Sequence, residues 1–269
     1  MTVRARRRRG ERLLGLAWLT ATALFLALLI LPVAGLLLRV PPADLLRRMA
    51  DPLVLQALWL SLTTSLAATA AVAVLGLPLA YALATRQFAG KRALEALVDL
   101  PMVLPPTVAG VGLLLAFGRQ GLVGPALAVA GISIPFTSVA VVLAQMFVAG
   151  PFFVNAARAG FEAVDPALVR AAATLRATPG YAFRRVQLPL SRPALLAGAA
   201  MTWARALGEF GATITFAGNL PGRTQTMPLA VYIALQTDLE AAVALSVILL
   251  VVSFGLLVAL RAVPRGARP

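Results

Sequence analysis

The sequence predicts an all-α membrane protein, a bundle of six transmembrane helices with both termini in the cytoplasm. Of its 269 residues, 60% are hydrophobic and only 13% are charged, and the mean hydropathy is +0.89. Soluble domains carry about a quarter charged residues. Apolar runs recur at about 20 residues, the length of a helix that crosses a bilayer. Helices are expected because they satisfy their own backbone in lipid, and the alternation of a membrane barrel is absent.

Six predicted spans organise the chain. They cover residues 14–38, 54–84, 97–117, 124–150, 193–216 and 240–260. The expected parts are a basic cytoplasmic arm (1–13), a first helix with an external loop (14–52), a membrane core (53–262) that includes a polar cytoplasmic loop (155–192), and a cytoplasmic tail (263–269).

The distribution of basic residues predicts the orientation of these spans. Eighteen of the 24 Lys and Arg residues fall in the segments assigned to the cytoplasm, which are the arm, the hairpin around Lys91, the loop 155–192 and the residues after the last span, from Arg261 onward. Positive charge concentrated in cytoplasmic segments is typical of membrane proteins. Topology therefore explains the net charge of +14, and a nucleic-acid partner is not expected.

Local composition supports the first two spans. The basic start and the following apolar run have the order of a signal peptide. However, the run reaches Leu38 and is far longer than a signal core, which favours a retained first helix. Residues 39–53 favour an external loop with a short amphipathic helix. The second span carries five Ser and Thr residues near its start, and such small residues allow close packing of membrane helices.

Prolines and glycines interrupt the third and fourth spans. Pro101, Pro105 and Pro106 predict that the first turns of the third span are not a regular helix. Irregular backbone at membrane depth is tolerated only against protein or a water-filled cavity. The segment from Gly131 to Pro135 interrupts the fourth span, which is therefore either one kinked helix or a short re-entrant piece followed by a helix.

The residue types that carry most enzymatic chemistry are missing from the sequence. The chain has no Cys and no His, which excludes a thiolate metal site, a disulfide, a Cys nucleophile and a Ser-His triad. Its only lysine is Lys91, and no phosphate-binding Gly-x-x-x-x-Gly-Lys-Ser/Thr motif surrounds it. We expect no catalytic residue, no metal and no bound cofactor, so any nucleotide that drives the protein binds a different chain.

The polar loop 155–192 has the features of a docking segment. Two apolar triplets are each spaced to share one helix face: Phe161, Val164 and Leu168, and then Ala171, Ala172 and Leu175. A short helix with a small apolar face is not stable alone in water. We therefore expect it to occupy a groove, either in this protein or in a partner. The alternative is an ordinary amphipathic surface loop.

This loop resembles the cytoplasmic coupling loop of ABC-importer permeases. The likeness runs from Val164-Asp165-Pro166-Ala167-Leu168 through Ala171-Ala172 to Phe183–Val186, Leu188-Pro189 and Pro193. In that family the loop docks into a cleft on a separate ATPase subunit. The resemblance implies the docking residues Phe161, Val164, Asp165, Pro166, Leu168, Arg170, Ala171, Ala172, Leu175, Arg176, Phe183 and Pro189. The family pattern of Glu-Ala-Ala, with Gly after three further residues, has Arg170 and Arg176 here in place of Glu and Gly.

The fifth span contains two charged residues. Arg205 and Glu209 are four residues apart on one predicted helix face, so they can form an ion pair. Charges within spans are costly and face the bundle interior or a cavity. The pair either fixes packing or lines a translocation path. The following Thr213, Thr215 and Asn219 suit close helix packing, and they equally suit a pore that offers neutral hydrogen-bond donors to an oxyanion.

A second resemblance covers this region and narrows the family. The block from Gly208 to Asn219, followed by Pro221-Gly222-Arg223-Thr224, resembles the molybdate/tungstate branch of ABC-importer permeases. The segments Leu104–Gly110 and Phe117–Gly121 resemble the same branch, and the likeness extends from about residue 53 to residue 260. The sulfate/thiosulfate permeases share some of this pattern, so sulfate stays an alternative substrate.

The resemblance implies a multi-pass permease of the cell inner or plasma membrane. Two copies would form the pathway as a homodimer in the lipid bilayer, and two ATPase subunits would bind ATP and Mg on the cytoplasmic side. An external binding protein would deliver the oxyanion, and transport would proceed by alternating access. Since an anion must leave as well as enter, we place Thr213, Thr215 and Asn219 near the outer gate.

Two other classes of protein fit the sequence less well. An ion-coupled secondary transporter needs carboxylates in the membrane. Glu209 and Asp99 are the only candidates for such a role, and no repeat symmetry is evident. An intramembrane enzyme needs a cluster of His, Asp or Glu at a membrane face. With no His and only 10 acidic residues, the chain offers little material for one.

Overall fold

The structure is a computed structural model that describes residues 2–262, and the predicted tail 263–269 lies outside them. The described residues form thirteen α-helices with no β-strand. In chain order these are α1 (Thr2–Arg39), α2 (Pro42–Met49), α3 (Pro52–Thr85), α4 (Lys91–Val103), α5 (Pro106–Phe117), α6 (Gly124–Val129), α7 (Ser138–Glu162), α8 (Pro166–Thr174), α9 (Pro179–Ala182), α10 (Leu188–Leu207), α11 (Gly211–Ala217), α12 (Met227–Thr237) and α13 (Leu239–Ala262). One π-helical turn, Phe183–Gln187, joins α9 to α10.

Three of these helices are long and apolar enough to cross a membrane. They are α1 from Leu14 onward, α3 and α7. α4 and α5 together form a fourth crossing or a re-entrant loop, because the pair is bent by 117° at a short break. The all-α membrane class predicted from composition is therefore confirmed.

The core of the bundle is built by α3, α7 and α10, with α7 packed against both of the others. Small residues bring α7 and α10 into backbone contact. A Cβ atom added at Gly198 would lie 2.8 Å from the Cβ of Ala156, and one added at Gly160 would lie 2.6 Å from the Cβ of Ala194. Close approach at small residues is the usual basis of helix association in membranes.

Two buried serines of α3 tie this helix to distant parts of the chain. The hydroxyl of Ser65 accepts a hydrogen bond from the indole nitrogen of buried Trp203 on α10, at 3.0 Å. The hydroxyl of Ser61 accepts one from the backbone N–H of Met227 at the start of α12, at 2.7 Å. Each serine therefore satisfies an N–H group that would be costly to bury unpaired.

The third predicted span is broken, but not where its first proline lies. α4 continues as a regular helix through Pro101 and ends at Val103, so Pro101 does not interrupt the helix and the predicted irregularity arises at the other two prolines. The break falls at Leu104 and Pro105, whose ψ angles are 135° and 134°. Each of these residues precedes a proline, and that position disfavours the helical conformation.

The fourth predicted span is two separate helices, α6 and α7, so the alternative of one kinked helix was wrong. α7 passes through Pro151 to Glu162, so the helix continues beyond the predicted span end at residue 150 and includes the first residues of the predicted loop 155–192. Tertiary packing explains the difference, because α3 and α10 bury α7 on both sides of the proline.

The fifth span also departs from its predicted limits of 193 and 216. α10 begins at Leu188, ends at Leu207, and is separated by a break from α11. α12 has no counterpart among the predicted spans. At the N-terminus, α1 begins at Thr2, so the expected basic arm 1–13 continues the first helix from that residue. α2 and α13 agree with the predicted amphipathic loop helix and the last span.

α5 and α11 cross at two glycines. A Cβ atom added at Gly110 would lie 2.6 Å from the Cβ of Thr215 and 2.9 Å from the carbonyl oxygen of Ala212. A Cβ atom at Gly211 would lie 2.7 Å from the Cβ of Pro106. The two helices can therefore touch only because both positions lack a side chain.

Gly110→Ala is expected to destabilise the protein by about 1–3 kcal/mol, because a methyl group must force α5 away from α11. The matched control is Gly112→Ala on the same helix, where an added Cβ has no atom within 4 Å. That variant should keep or raise stability, since alanine is the better helix former by up to about 1 kcal/mol. Thermal unfolding of both variants in detergent tests this, and equal shifts would contradict the proposed contact.

Candidate functional site

The helix α8 projects from one end of the bundle. It begins at Pro166, and the carboxylate of Asp165 caps it by accepting a hydrogen bond from the N–H of Ala167 at 2.7 Å. No residue of α8 is buried. Leu168 is 47% exposed, and Leu175, just after the helix, is 82% exposed. These apolar side chains form part of an uncovered surface, which marks a candidate contact site.

Three of the predicted docking residues hold the base of this loop from within. Phe161 on α7 and Val164 are buried. The rings of Phe161 and Phe183 lie 5.3 and 4.8 Å from the ring of Tyr81 on α3. The hydroxyl of Tyr81 also donates a hydrogen bond to Gln187 at 2.9 Å. Phe161, Val164 and Phe183 therefore anchor the loop to the bundle rather than face outward.

The other predicted docking residues lie on the outside of the loop or at its edge. Asp165, Pro166, Leu168, Arg170, Ala171, Leu175, Arg176 and Pro189 are exposed, and Ala172 is half-buried. Pro189 lies in the first turn of α10, apart from α8 in the chain.

Arg176 ends α8 in an unusual backbone conformation. Its φ angle is +59°, in the left-handed region that favours glycine. The N–H of Ala177 donates to the carbonyl oxygen of Ala172, and the N–H of Arg176 donates to that of Ala173. This is the Schellman pattern, in which the left-handed position is usually glycine. Arg176 stands where the family pattern has glycine. The backbone at this position is nevertheless left-handed, as it would be with glycine.

The break between α10 and α11 is held by a single carboxylate. Glu209 is 1% exposed, and its Oε2 lies 2.7 Å from Nη1 of Arg205. Its Oε1 accepts a hydrogen bond from the N–H of Ala212, at 2.8 Å, in the first turn of α11. The acidic side chain thus pairs with the end of α10 and caps the start of α11, where negative charge is favoured.

The three predicted gate residues lie on α11 or just after it. Thr213 is fully buried, and its hydroxyl has no hydrogen-bond partner within the described structure. Thr215 is half-buried and donates to the carbonyl oxygen of Gly211 at 2.9 Å. Oδ1 of Asn219 is buried without a partner in the same described region. In this conformation α5 and α7 pack against α11, so Thr213 is enclosed and Thr215 is partly covered.

A cavity of about 840 Å³ opens at the end of α7 opposite to α8. We call it the two-arginine cavity, because Arg119 and Arg223 are its charged lining residues. Gln120, Ser133 and Thr137 are among its polar lining residues.

The carboxylates near the other end of α7 are paired. Asp99 accepts a hydrogen bond from Nδ2 of Asn155 at 2.7 Å. Glu95 and Glu162 lie 2.9 and 2.8 Å from the guanidinium group of Arg158. The described residues contain no group of three or more His, Cys, Asp or Glu side chains that could hold a metal.

Sequence reasoning did not identify the partners of Ser61 and Ser65 or the contact at Gly110. The signal for the serines was their spacing, since they lie four residues apart on one helix face. Arg119 and Arg223 could have been recognised as arginines without a nearby acidic partner in the chain, since residues 100–161 and 210–237 contain no acidic residue. The partners themselves, such as Trp203, are too distant in the chain for local patterns to reveal.

A membrane-spanning helical bundle with broken spans and a projecting loop helix defines the membrane subunit of a transporter. The chain belongs to the family of binding-protein-dependent transport system inner membrane components, whose family model matches residues 73–266. It is therefore the permease subunit of an ABC importer and a multi-pass protein of the cell membrane.

Comparison with known proteins supports this assignment. The molybdenum transport system permease protein ModB of Mycobacterium tuberculosis is 48% identical over 197 residues, which are 73% of this chain and 75% of the relative. A probable sulfate transport system permease of Nephroselmis olivacea is 33% identical over 254 residues, or 93% and 89% of the two chains. A solved chain of a bacterial alginate ABC transporter has a TM-score of 0.76 at 16% identity and covers 96% of this chain and 97% of its own. That likeness shows the fold.

Substitutions at the Arg205–Glu209 pair should have unequal effects. Arg205→Gln leaves the carboxylate of Glu209, which is 1% exposed, without a compensating charge and should cost about 3–5 kcal/mol. Glu209→Gln should cost less, because Arg205 is 31% exposed and is therefore less enclosed by the protein than Glu209. The double variant Arg205→Gln/Glu209→Gln should be more stable than Arg205→Gln alone. Thermal unfolding in detergent tests the order, and an Arg205→Gln variant as stable as Glu209→Gln would refute it.

Arg176→Gly should stabilise the end of α8 by up to about 1 kcal/mol, because glycine enters the left-handed region without a steric cost. Arg170→Gly provides the matched control, since the same substitution inside α8 should destabilise the helix by about 1 kcal/mol. Hydrogen exchange of the amides of Leu175, Arg176 and Ala177 measures both effects. Slower exchange in Arg176→Gly and faster exchange in Arg170→Gly are expected, and the same direction in both would disprove the assignment.

Proposed function

We propose that this permease translocates molybdate or tungstate from an external binding protein into the cytoplasm by alternating access. The observation that carries the proposal is the 48% identity to a molybdenum permease over 73% of the chain. Sulfate is the second candidate, because a probable sulfate permease is 33% identical over 93% of the chain. Both substrates are tetrahedral dianions, so a shared pathway chemistry is expected.

The proposed topology has six crossings with both termini in the cytoplasm. The crossings are α1, α3, the bent pair α4–α5, α7, the broken pair α10–α11, and α13. This topology is supported by the position of the two-arginine cavity and α8, which lie at opposite ends of the long helix α7. The excess of basic residues in the segments on the α8 side supports the proposed orientation, in which residues 53–262 would form the membrane core.

The proposed contact with the ATPase is the outer face of α8. Its support is the exposure of Leu168 and Leu175 on a short helix that the bundle covers poorly. Phe161 and Phe183 would transmit the movement of this loop to α7 and α3 through their packing against Tyr81, and buried Val164 would hold the base of the loop beside them. ATP and Mg would bind to two copies of the ATPase subunit, and this chain would perform no chemistry on them.

The proposed outer gate is the contact of α11 with α5. Its support is the contact of Gly110 with Thr215, together with the buried and unpartnered oxygens of Thr213 and Asn219 on and just after the same helix. Separation of the two helices would expose these hydroxyl and amide groups to a passing oxyanion. Neutral donors suit a path that must release its anion. The pathway would be completed by a second copy of the chain in a homodimer. The Arg205–Glu209 pair would hold the break between α10 and α11 during this movement.

An ion-coupled mechanism is disfavoured by the state of the two candidate carboxylates. Asp99 is bonded to Asn155, and Glu209 is bonded to the N–H of Ala212 and paired with Arg205. Both side chains are therefore engaged in holding helices together, whereas a proton or sodium site requires a carboxylate that exchanges partners.

The function is tested by reconstituting this chain in proteoliposomes with its ATPase and its binding protein. Molybdate uptake that requires ATP hydrolysis and persists in excess sulfate is the expected result. Uptake abolished by sulfate would move the assignment to the sulfate branch. Uptake without ATP would overturn the importer mechanism for this complex.

The proposed contact between α8 and the ATPase is tested with the variant Leu175→Glu, which places a charge on the most exposed large apolar residue of the α8 region. It should fold normally, because Leu175 is 82% exposed. It should also lose binding to the ATPase and therefore lose uptake. Normal uptake by this variant would remove the α8 face from the proposed contact.

A further inference from the structure

We propose that the two-arginine cavity is an anion-accepting vestibule at the outer mouth of the permease. In it, Arg119 and Arg223 attract a tetrahedral oxyanion and hold it briefly and reversibly before it enters the path. This inference rests on the proposed orientation, which places this end of α7 outside the cell. The proposed ligand site is separate from both the α8 surface and the contact between α5 and α11.

The cavity is formed where several crossings end together. Its walls come from the end of α5, the segment 130–137 before α7, and the turn after α11. The same end of the bundle holds the start of α3, because a Cβ atom at Gly222 would lie 3.1 Å from the side-chain oxygen of Gln56. An anion released outside the membrane would therefore meet this cavity next to the α11 gate.

The charge of the cavity is uncompensated. The guanidinium groups of Arg119 and Arg223 form no ion pair within the described part of the chain. No carboxylate lines the cavity, and the segments 100–161 and 210–237 that build its walls contain no acidic residue. A concave site with charge of one sign concentrates the opposite ion, by about 10-fold or more.

The walls of the cavity are held by specific backbone contacts. The hydroxyl of Ser138 donates to the carbonyl oxygen of Arg223 at 2.8 Å, and the N–H of Arg223 donates to that of Leu220 at 3.0 Å. Phe136 has a φ angle of +61°, which is rare for a bulky residue. Its ring would lie 2.9 Å from a Cβ atom at Gly218. The chain thus accepts strain to build this wall, and such strain clusters at functional sites.

The size of the cavity indicates how the anion is held. Its volume of about 840 Å³ holds many waters, since each water occupies about 30 Å³ in the liquid. The oxyanion would therefore keep part of its hydration and be held mainly by charge, with Gln120 and Ser133 as neutral donors. Such a site accepts molybdate, tungstate and sulfate alike, and discrimination between them would lie in another component.

The native absence of cysteine permits a direct test of this potential. In Ser133→Cys, the single thiol lines the cavity, and its modification rates by anionic and cationic membrane-impermeant methanethiosulfonates are compared in the assembled transporter. The anionic reagent should be favoured. Adding Arg119→Gln and Arg223→Gln should reduce the anionic-to-cationic rate ratio by about 10-fold. Molybdate, tungstate and sulfate should each slow modification by the anionic reagent.

The matched control is Ala43→Cys on α2, which is exposed at the same end of the bundle but outside the cavity. Its rate ratio should not respond to the arginine substitutions or to oxyanions. Labelling of Ser133→Cys from outside, with an unchanged ratio in the arginine variants, would overturn the vestibule and leave the importer function intact. Protection by the binding protein but not by the free oxyanions would also overturn it. Labelling only from the cytoplasmic side would instead refute the orientation.

Discussion

The structure depends on one constraint, which is that a chain in lipid must pair every backbone N–H and C=O group with its own atoms. This chain breaks its spans and then meets the constraint with a few buried polar side chains. Glu209 caps α11, and Ser61 accepts the N–H at the start of α12. Asp165 does the same at the start of α8, outside the core. Glu209 and Ser61 are therefore occupied in holding broken helices together.

Polar side chains that hold helices together are not available to bind a substrate in this conformation. The carboxylates of Asp99 and Glu209 are bonded to neighbouring helices, and Thr213 of α11 is fully buried in this conformation. Helix contacts at Gly110, Gly160 and Gly198 leave no space for an extra methyl group. A core packed this closely changes by the relative movement of whole helices rather than by small adjustments of single side chains. A path for an anion would therefore open only when whole helices move apart.

Much of the fold could be predicted from the sequence, because hydropathy and charge report directly on membrane crossing. The exposed apolar residues of the loop helix and the Arg205–Glu209 pair were also visible as local spacing. The limits of the spans were not. Pro101 and Pro151 lie inside helices because neighbouring helices support them, whereas the Pro105–Pro106 pair breaks one. The partners of Ser65 and the contact at Gly110 depend on residues far away in the chain, which no local pattern contains.

The unbroken length of α7 has a mechanical consequence. Its 25 residues form a rod, about 37 Å long at a rise of about 1.5 Å per residue. The loop that contains α8 follows one end of this rod, and the wall of the two-arginine cavity precedes the other. A tilt of about 10° around its middle would move each end by about 3 Å in opposite directions, given that length. In the proposed mechanism, a displacement of α8 at one end of α7 would therefore move the wall of the two-arginine cavity at the other end.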